Sequence, residues 1–163
     1  MKTVILEKPS IILVDDHLIF RQGLKSLINI ENLGKVIGEA SDGKEFIELL
    51  NAPVPDLVIM DIDMPTMNGI EATQKALQMM PDLKIIVFSM FGDEEYFNRM
   101  IEIGVKGFIL KSSGITEVEK AIVDVMAGKN YFSNVLPKKS TSKTLTTNLT
   151  PNIGKSPAPI PWW

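Results

Sequence analysis

Four short, nearly continuous apolar runs constrain this chain most: SIILVDD (10–16), DLVIMD (56–61), KIIVFS (84–89) and KGFILK (106–111). A strand that alternates apolar and polar residues buries one face, whereas a run without alternation has to be covered on both. The segments between the runs have a different period. LIFRQGLKSLIN (18–29), GKEFIELLN (43–51), GIEATQKALQMM (69–80), DEEYFNRMIEIG (93–104) and ITEVEKAIVDVMAG (115–128) place apolar residues at i, i+3, i+4 and i+7 with charges opposite. With a shorter, more polar run, KVIGEA (35–40), placed at an edge, the chain reads as five βα units: an α/β fold with a parallel sheet covered by helices. Gly104 and Gly128 suit left-handed helix C-caps, and Pro81 closes the third helix.

In an open parallel sheet every strand finishes on the same edge, and ligands bind there where the strand order reverses. The first run finishes in Asp15-Asp16, the third in Asp61, the fourth in Ser89 and the fifth in Lys111. Residues far apart in the chain therefore converge on one rim, which suits a divalent cation and a phosphoryl group better than an apolar ligand. Crowded carboxylates repel one another unless a cation such as Mg²⁺ lies between them, and Mg²⁺ takes oxygen ligands. Asp61 is then placed to attack phosphorus as a carboxylate nucleophile and form an aspartyl phosphate. The metal and the Lys111 ammonium would offset the phosphoryl charge, and Ser89 would donate a hydrogen bond to a phosphoryl oxygen.

Composition narrows the chemistry further. A length of 163 residues with 45% apolar content suffices for one core. The absence of cysteine excludes a disulfide framework, a thiolate metal site and a cysteine nucleophile, so metal chemistry is expected to use oxygen. No apolar run approaches the roughly 18 residues of a membrane span, and MKTVILEKPS lacks the features of a signal peptide, so a cytoplasmic location is expected. The net charge of −3 is unevenly spread: residues 137–163 hold four lysines and no acid, leaving 13 bases against 20 acids in residues 1–136. That tail, rich in Ser, Thr, Pro and Lys without a sustained period, is expected to be flexible and to hold no folded output element.

The motifs VDD, DIDMPTMNG, FS and FILKS, in this order, resemble the receiver domain of two-component response regulators over residues 10–136. The resemblance implies a doubly wound, flavodoxin-like, five-stranded parallel sheet of order 2-1-3-4-5. It implies Asp16 as a direct Mg²⁺ (or Mn²⁺) ligand, Asp15 as a water-mediated one, the backbone carbonyl of Asp63 as a further ligand, and Pro65 and Gly69 as shapers of the loop. Asp61 becomes the phospho-acceptor, served by Ser89 and Lys111, with a histidine kinase or a small phosphodonor as partner. Such a protein is a phosphorylation-controlled switch more than an enzyme, and its output surface is helix four, strand five and helix five, reached through Ser89 and Phe108. Phe108 stands three residues before the lysine, where the family often carries an aromatic. Lacking a hydroxyl, it is expected to stay buried in both states.

DDHLIFRQGL (15–24) and AGKNYFS (127–133) resemble the subgroup whose output, in transcription regulation, is a LuxR-type helix-turn-helix. NLTP (148–151) resembles the start of such a domain, but NIGKSPAPIPWW departs from it, so no specific DNA binding is expected from this chain. The expected organisation is an extension (1–9), a receiver domain (10–130) and a linker with a tail (131–163). Helices one and five carry enough apolar residues to serve a homodimer.

Two other classes fit parts of this pattern. Asp61-x-Asp63 also resembles the start of haloacid-dehalogenase phosphatases, but the following Gly-Thr is missing and the acidic pair comes first in the chain. A receiver-like interaction module with a vestigial rim is the other. Singly, an aspartate at a strand end is more often a helix cap or turn residue, and Ser89 and Lys111 more often solvated polar groups; only their shared rim argues for function. His17, the sole histidine, is read as an exposed residue at the start of the first helix rather than as a relay or base.

Overall fold

The computed structural model describes residues 7–51 and 53–133. The expectations of a flexible tail and of an interrupted output domain fall on residues 134–163, outside the described residues. Each apolar run forms a strand: β1 Ser10–Val14, β2 Lys35–Ala40, β3 Leu57–Asp61, β4 Lys84–Ser89 and β5 Gly107–Leu110. Between and after them lie α1 Leu18–Ile30, α2 Gly43–Leu49, α3 Gly69–Met79, α4 Glu94–Ile103 and α5 Ile115–Met126. All strand pairs are parallel, in the order β2-β1-β3-β4-β5-β6.

The sixth strand, β6 Tyr131–Phe132, corrects the five-stranded expectation and moves these residues from the linker into the sheet. Tyr131 N donates to Lys106 O and Ser133 N donates to Phe108 O, each at 2.9 Å, which continues the ladder past β5. The Phe132 ring packs edge-on against Phe97 of α4, at 5.6 Å between centroids, and Phe97 in turn packs edge-on against Phe108, at 5.3 Å. A two-residue strand is too short to carry a period, which is why no pattern announced it.

Burial on both strand faces appears as two separate cores. Ile12, Val14, Val58, Met60, Ile85, Val87, Phe108 and Leu110 face α2, α3 and α4, where Phe46, Ala72, Ala76 and Met100 meet them. The intervening residues Ile11, Leu13, Leu57, Ile59, Ile86, Phe88 and Ile109 face α1 and α5, where Leu24, Ile28, Val118 and Ile122 complete the second core. This alternation follows from the two-residue repeat of a strand.

Helix ends follow local chemistry. Asp42, Asn68 and Asp93 accept a hydrogen bond from the backbone N–H of Glu45, Glu71 and Glu95, so each closes an orphaned donor of the first turn. Gly104 ends α4 at φ 109° and Gly128 follows α5 at φ 85°, the left-handed geometry that glycine adopts without a Cβ clash. The α1 N-cap, His17, makes no side-chain capping bond, because its ring is engaged elsewhere.

Candidate functional site

The chain reverses direction of winding between the neighbouring strands β1 and β3, and the crevice beyond their carboxyl ends is where Asp15 and Asp61 emerge. Both are buried, at 5% and 3% exposure. Lys111, just past β5, reaches across with an equally buried side chain: its Nζ lies 2.6 Å from Asp15 Oδ2 and 3.4 Å from Asp61 Oδ2. Its ammonium also sits 4.5 Å from the centre of the Phe20 ring on α1, a cation–π contact that helps fix the long side chain.

The two oxygens of Asp61 differ. Oδ1 accepts a hydrogen bond from Ile62 N at 2.8 Å, whereas Oδ2 is buried without a hydrogen-bond partner and has the Lys111 ammonium 3.4 Å away. Burial foremost, and the Asp15 charge after it, raise the Asp61 pKa from 3.8 to about 6 against the opposing pull of Lys111 and the Ile62 N–H. At neutral pH the carboxylate is therefore available as a nucleophile, but its charge is held at a cost that a cation would relieve.

The loop after β3 is shaped by close approach of the backbone. A Cβ on Gly69 would stand 1.9 Å from the Asp61 carbonyl oxygen, so no other residue fits, and Gly69 N donates to Ile62 O at 2.8 Å. The loop turns through Thr66 at φ 68°, which brings Asn68 into position to cap α3. Asp63 lies exposed on this loop, and its carboxylate is not among the converging donors. Asp16 is exposed at the lip of the crevice and contributes its carboxylate to the cluster.

Ser89 and Phe108 sit where the strand register predicts, Ser89 at the end of β4 and Phe108 inside β5, both buried. The Ser89 hydroxyl is occupied by its own loop, donating to Phe91 O at 2.8 Å and accepting from Phe91 N at 3.3 Å. Met90 and Phe91, in the loop that these bonds span, are exposed.

Two further residues belong to the site and were not singled out for it by sequence. His17 is exposed, as expected for the start of α1, but its Nδ1 lies 3.1 Å from both Asp15 Oδ1 and Asp16 Oδ1. Arg21, one turn along α1, donates to the carbonyls of Asp15 and Ala40, and its Nε donates to Glu39 Oε1 at 3.2 Å. It thereby ties the end of β1 to the end of β2. Lys25, hydrogen-bonded to Glu39 at 2.7 Å, is the main cause that holds the Glu39 pKa below its usual value, with Arg21 adding to it. The available signal was DDH itself: a histidine next to an acidic pair at a strand end is within reach of both.

The fold and crevice define a class: a doubly wound α/β protein with three carboxylates and a lysine at its topological switch point. Residues 11–123 match the profile of the response regulator receiver domain, and the chain belongs to that family. It is 36% identical over 125 residues to the transcriptional regulatory protein DegU of Brevibacillus brevis, an alignment that takes in 77% of this chain. That match spans 53% of DegU, so the chain accounts for about half of this relative's length. Among solved structures, a two-component response regulator of the LuxR family from Aurantimonas sp. superposes with a TM-score of 0.75 at 34% identity, over 78% of this chain and 91% of that one. A chain of the CheX-CheY-BeF3-Mg²⁺ complex from Borrelia burgdorferi gives 0.69 at 27% identity, over 73% and 90%. The family assignment sets aside the haloacid-dehalogenase phosphatase, which rested on Asp61-x-Asp63 alone. Among the described residues, no helix is long and apolar enough to cross a membrane.

Proposed function

We propose that this receiver domain accepts one phosphoryl group on Asp61 from a histidine kinase or a small phosphodonor, and that the modification changes the surface of α4, β5 and α5. The observation that carries this is the buried, unpartnered Asp61 Oδ2, held at the crevice of the sheet between Lys111 and the acidic pair. The Asp61 carboxylate attacks phosphorus as the P–N bond of the donor breaks, and the departing imidazole nitrogen keeps the electron pair and takes a proton from solvent. Lys111 supplies positive charge next to the incoming phosphoryl oxygens.

The donor set fits a divalent cation, because Asp15, Asp16 and Asp61 bring hard oxygens within one coordination sphere of each other and Asp61 Oδ2 has no hydrogen-bond partner. A bound Mg²⁺ or Mn²⁺ would supply charge neutralisation of the phosphoryl group. Asp16 would be a direct ligand, Asp15 a water-mediated one, and the Asp63 carbonyl a further one. The similar chain from Borrelia burgdorferi comes from a complex with BeF3 and Mg²⁺, which supports this choice.

Switching needs two arrangements. In the one described, Ser89 Oγ is spent on Phe91, and Phe108 is locked between Phe97 and the strand neighbours. Recruitment of the Ser89 hydroxyl to a phosphoryl oxygen would break the Phe91 bonds and free the β4–α4 loop, next to α4. Radiolabelled phosphoramidate tests the proposal: one alkali-labile label per chain supports it. A base-stable label, or sustained turnover of a phosphomonoester, contradicts it.

A further inference from the structure

The rim holds a histidine that a purely oxygen site does not need. His17 Nδ1 stands 3.1 Å from Asp15 Oδ1, 3.1 Å from Asp16 Oδ1 and 3.9 Å from Asp61 Oδ2, and one donor atom from each of the four residues lies within 4.8 Å of every other. Bonds of about 2.1 Å to a six-coordinate metal place neighbouring ligands about 3 Å apart and opposite ones about 4.2 Å apart. The spacings from Nδ1 to Asp16 Oδ1 and Asp61 Oδ2 match those of ligands on one metal, to within small side-chain adjustments.

Three other observations point the same way. Asp61 Oδ2 is buried, unpartnered and turned towards this cluster, so the acids are not simply a solvated group. Asp15 divides its oxygens, with Oδ2 on the Lys111 ammonium and Oδ1 on the His17 side, so Lys111 does not occupy the centre of the cluster. The backbone N–H of His17 is itself fixed by Asp15 Oδ1 at 2.8 Å, and the ring makes no capping bond to α1, so its position is set by the acids rather than by the helix.

We infer that His17 Nδ1 is a metal ligand, and that the rim is a mixed nitrogen–oxygen site which prefers borderline divalent transition ions, Mn²⁺ through Ni²⁺ and Zn²⁺, over Mg²⁺. This rests on the proposed cation site at the acidic rim and adds one ligand to it. Imidazole nitrogen suits transition ions, whereas Mg²⁺ prefers oxygen and readily keeps water in that position. Loss of the imidazole therefore weakens the two kinds of ion unequally.

The chain is suited to a direct test, because His17 is its only histidine and it has no cysteine. The full 163-residue chain, prepared without a polyhistidine tag, is loaded with Mn²⁺ alone and read by pulsed electron paramagnetic resonance for coupling to an imidazole ¹⁴N. Ni²⁺ and Mg²⁺ affinities are measured by calorimetry on wild type, His17→Ala and His17→Gln. The expected result is ¹⁴N coupling in wild type only, with Ni²⁺ affinity falling about tenfold or more in both variants and Mg²⁺ affinity changing less than about twofold. Bound Mn²⁺ without nitrogen coupling in wild type, or equal changes for Ni²⁺ and Mg²⁺, would overturn the histidine ligand and leave an oxygen site standing. Binding of no divalent ion, or binding undiminished by Asp16→Ala, would overturn the cation site itself.

Discussion

Lys111 Nζ lies 2.6 Å from Asp15 Oδ2 but 3.4 Å from Asp61 Oδ2, so the ammonium is paired more closely with the end of β1 than with the proposed phospho-acceptor on β3. Lys111→Ala would leave two buried carboxylates facing one another without their counter-charge. We expect it to lower stability by about 2 to 3 kcal/mol at neutral pH in chelator, and Mg²⁺ to restore part of the loss. It should also slow phosphorylation while leaving metal binding largely intact. Urea denaturation with and without Mg²⁺ measures the first effect, and unchanged stability would show that the pair does not matter.

The Asp61 carboxyl gives a pH dependence of opposite sign to an ordinary salt-bridged acid. Its folded pKa, raised from 3.8 to about 6, means that the folded state holds the proton more tightly than the unfolded chain does. The cost of ionising it is absent below about pH 4, grows between about pH 4 and 6, and is complete above that. Asp61→Asn should therefore be more stable than wild type at pH 7 in chelator, by about 1 to 2 kcal/mol, and no more stable near pH 4. A variant that is less stable than wild type at pH 7 would contradict the strain assigned to this carboxylate.

Cation binding should stabilise the folded state through mass action. Millimolar Mg²⁺ is expected to raise the melting temperature, and Asp16→Ala to remove most of that rise, because Asp16 is the exposed carboxylate proposed to meet the ion directly. Equal responses of wild type and Asp16→Ala would place the ion elsewhere.

β6 should be coupled to α4 through aromatic packing. Phe97 lies edge-on to both Phe108 and Phe132, so it bridges β5, β6 and its own helix. A double-mutant cycle on Phe97→Leu and Phe132→Leu is expected to show a coupling of about 0.5 to 1.5 kcal/mol. Additive losses would mean that residues 131–132 lie against the sheet without holding α4.

Much of the architecture was legible because βα units write their period into the sequence. The four two-sided strands and the polar edge run KVIGEA fell where expected, and the strand ends delivered Asp15, Asp61 and Lys111 to one crevice. What escaped depends on side-chain direction and on packing between distant residues. DDH put His17 within reach of the acids without fixing where its ring turns, and the reach of Arg21 to the Asp15 carbonyl has no period or spacing to reveal it. The Ser89 hydroxyl was legible as a residue of the rim, but its present commitment to Phe91 is a loop conformation that identity alone does not specify. β6 escaped because Tyr131 and Phe132 gain their place from Phe97 and the free edge of β5.

The central claim is that Asp61 receives the phosphoryl group, and intact-mass spectrometry after incubation with acetyl phosphate and Mg²⁺ tests it most directly. Wild type should gain the mass of one phosphoryl group, and Asp61→Asn should gain none under the same conditions. Undiminished labelling of Asp61→Asn, mapped to a residue outside the crevice, would show that the acceptor has been placed on the wrong side chain.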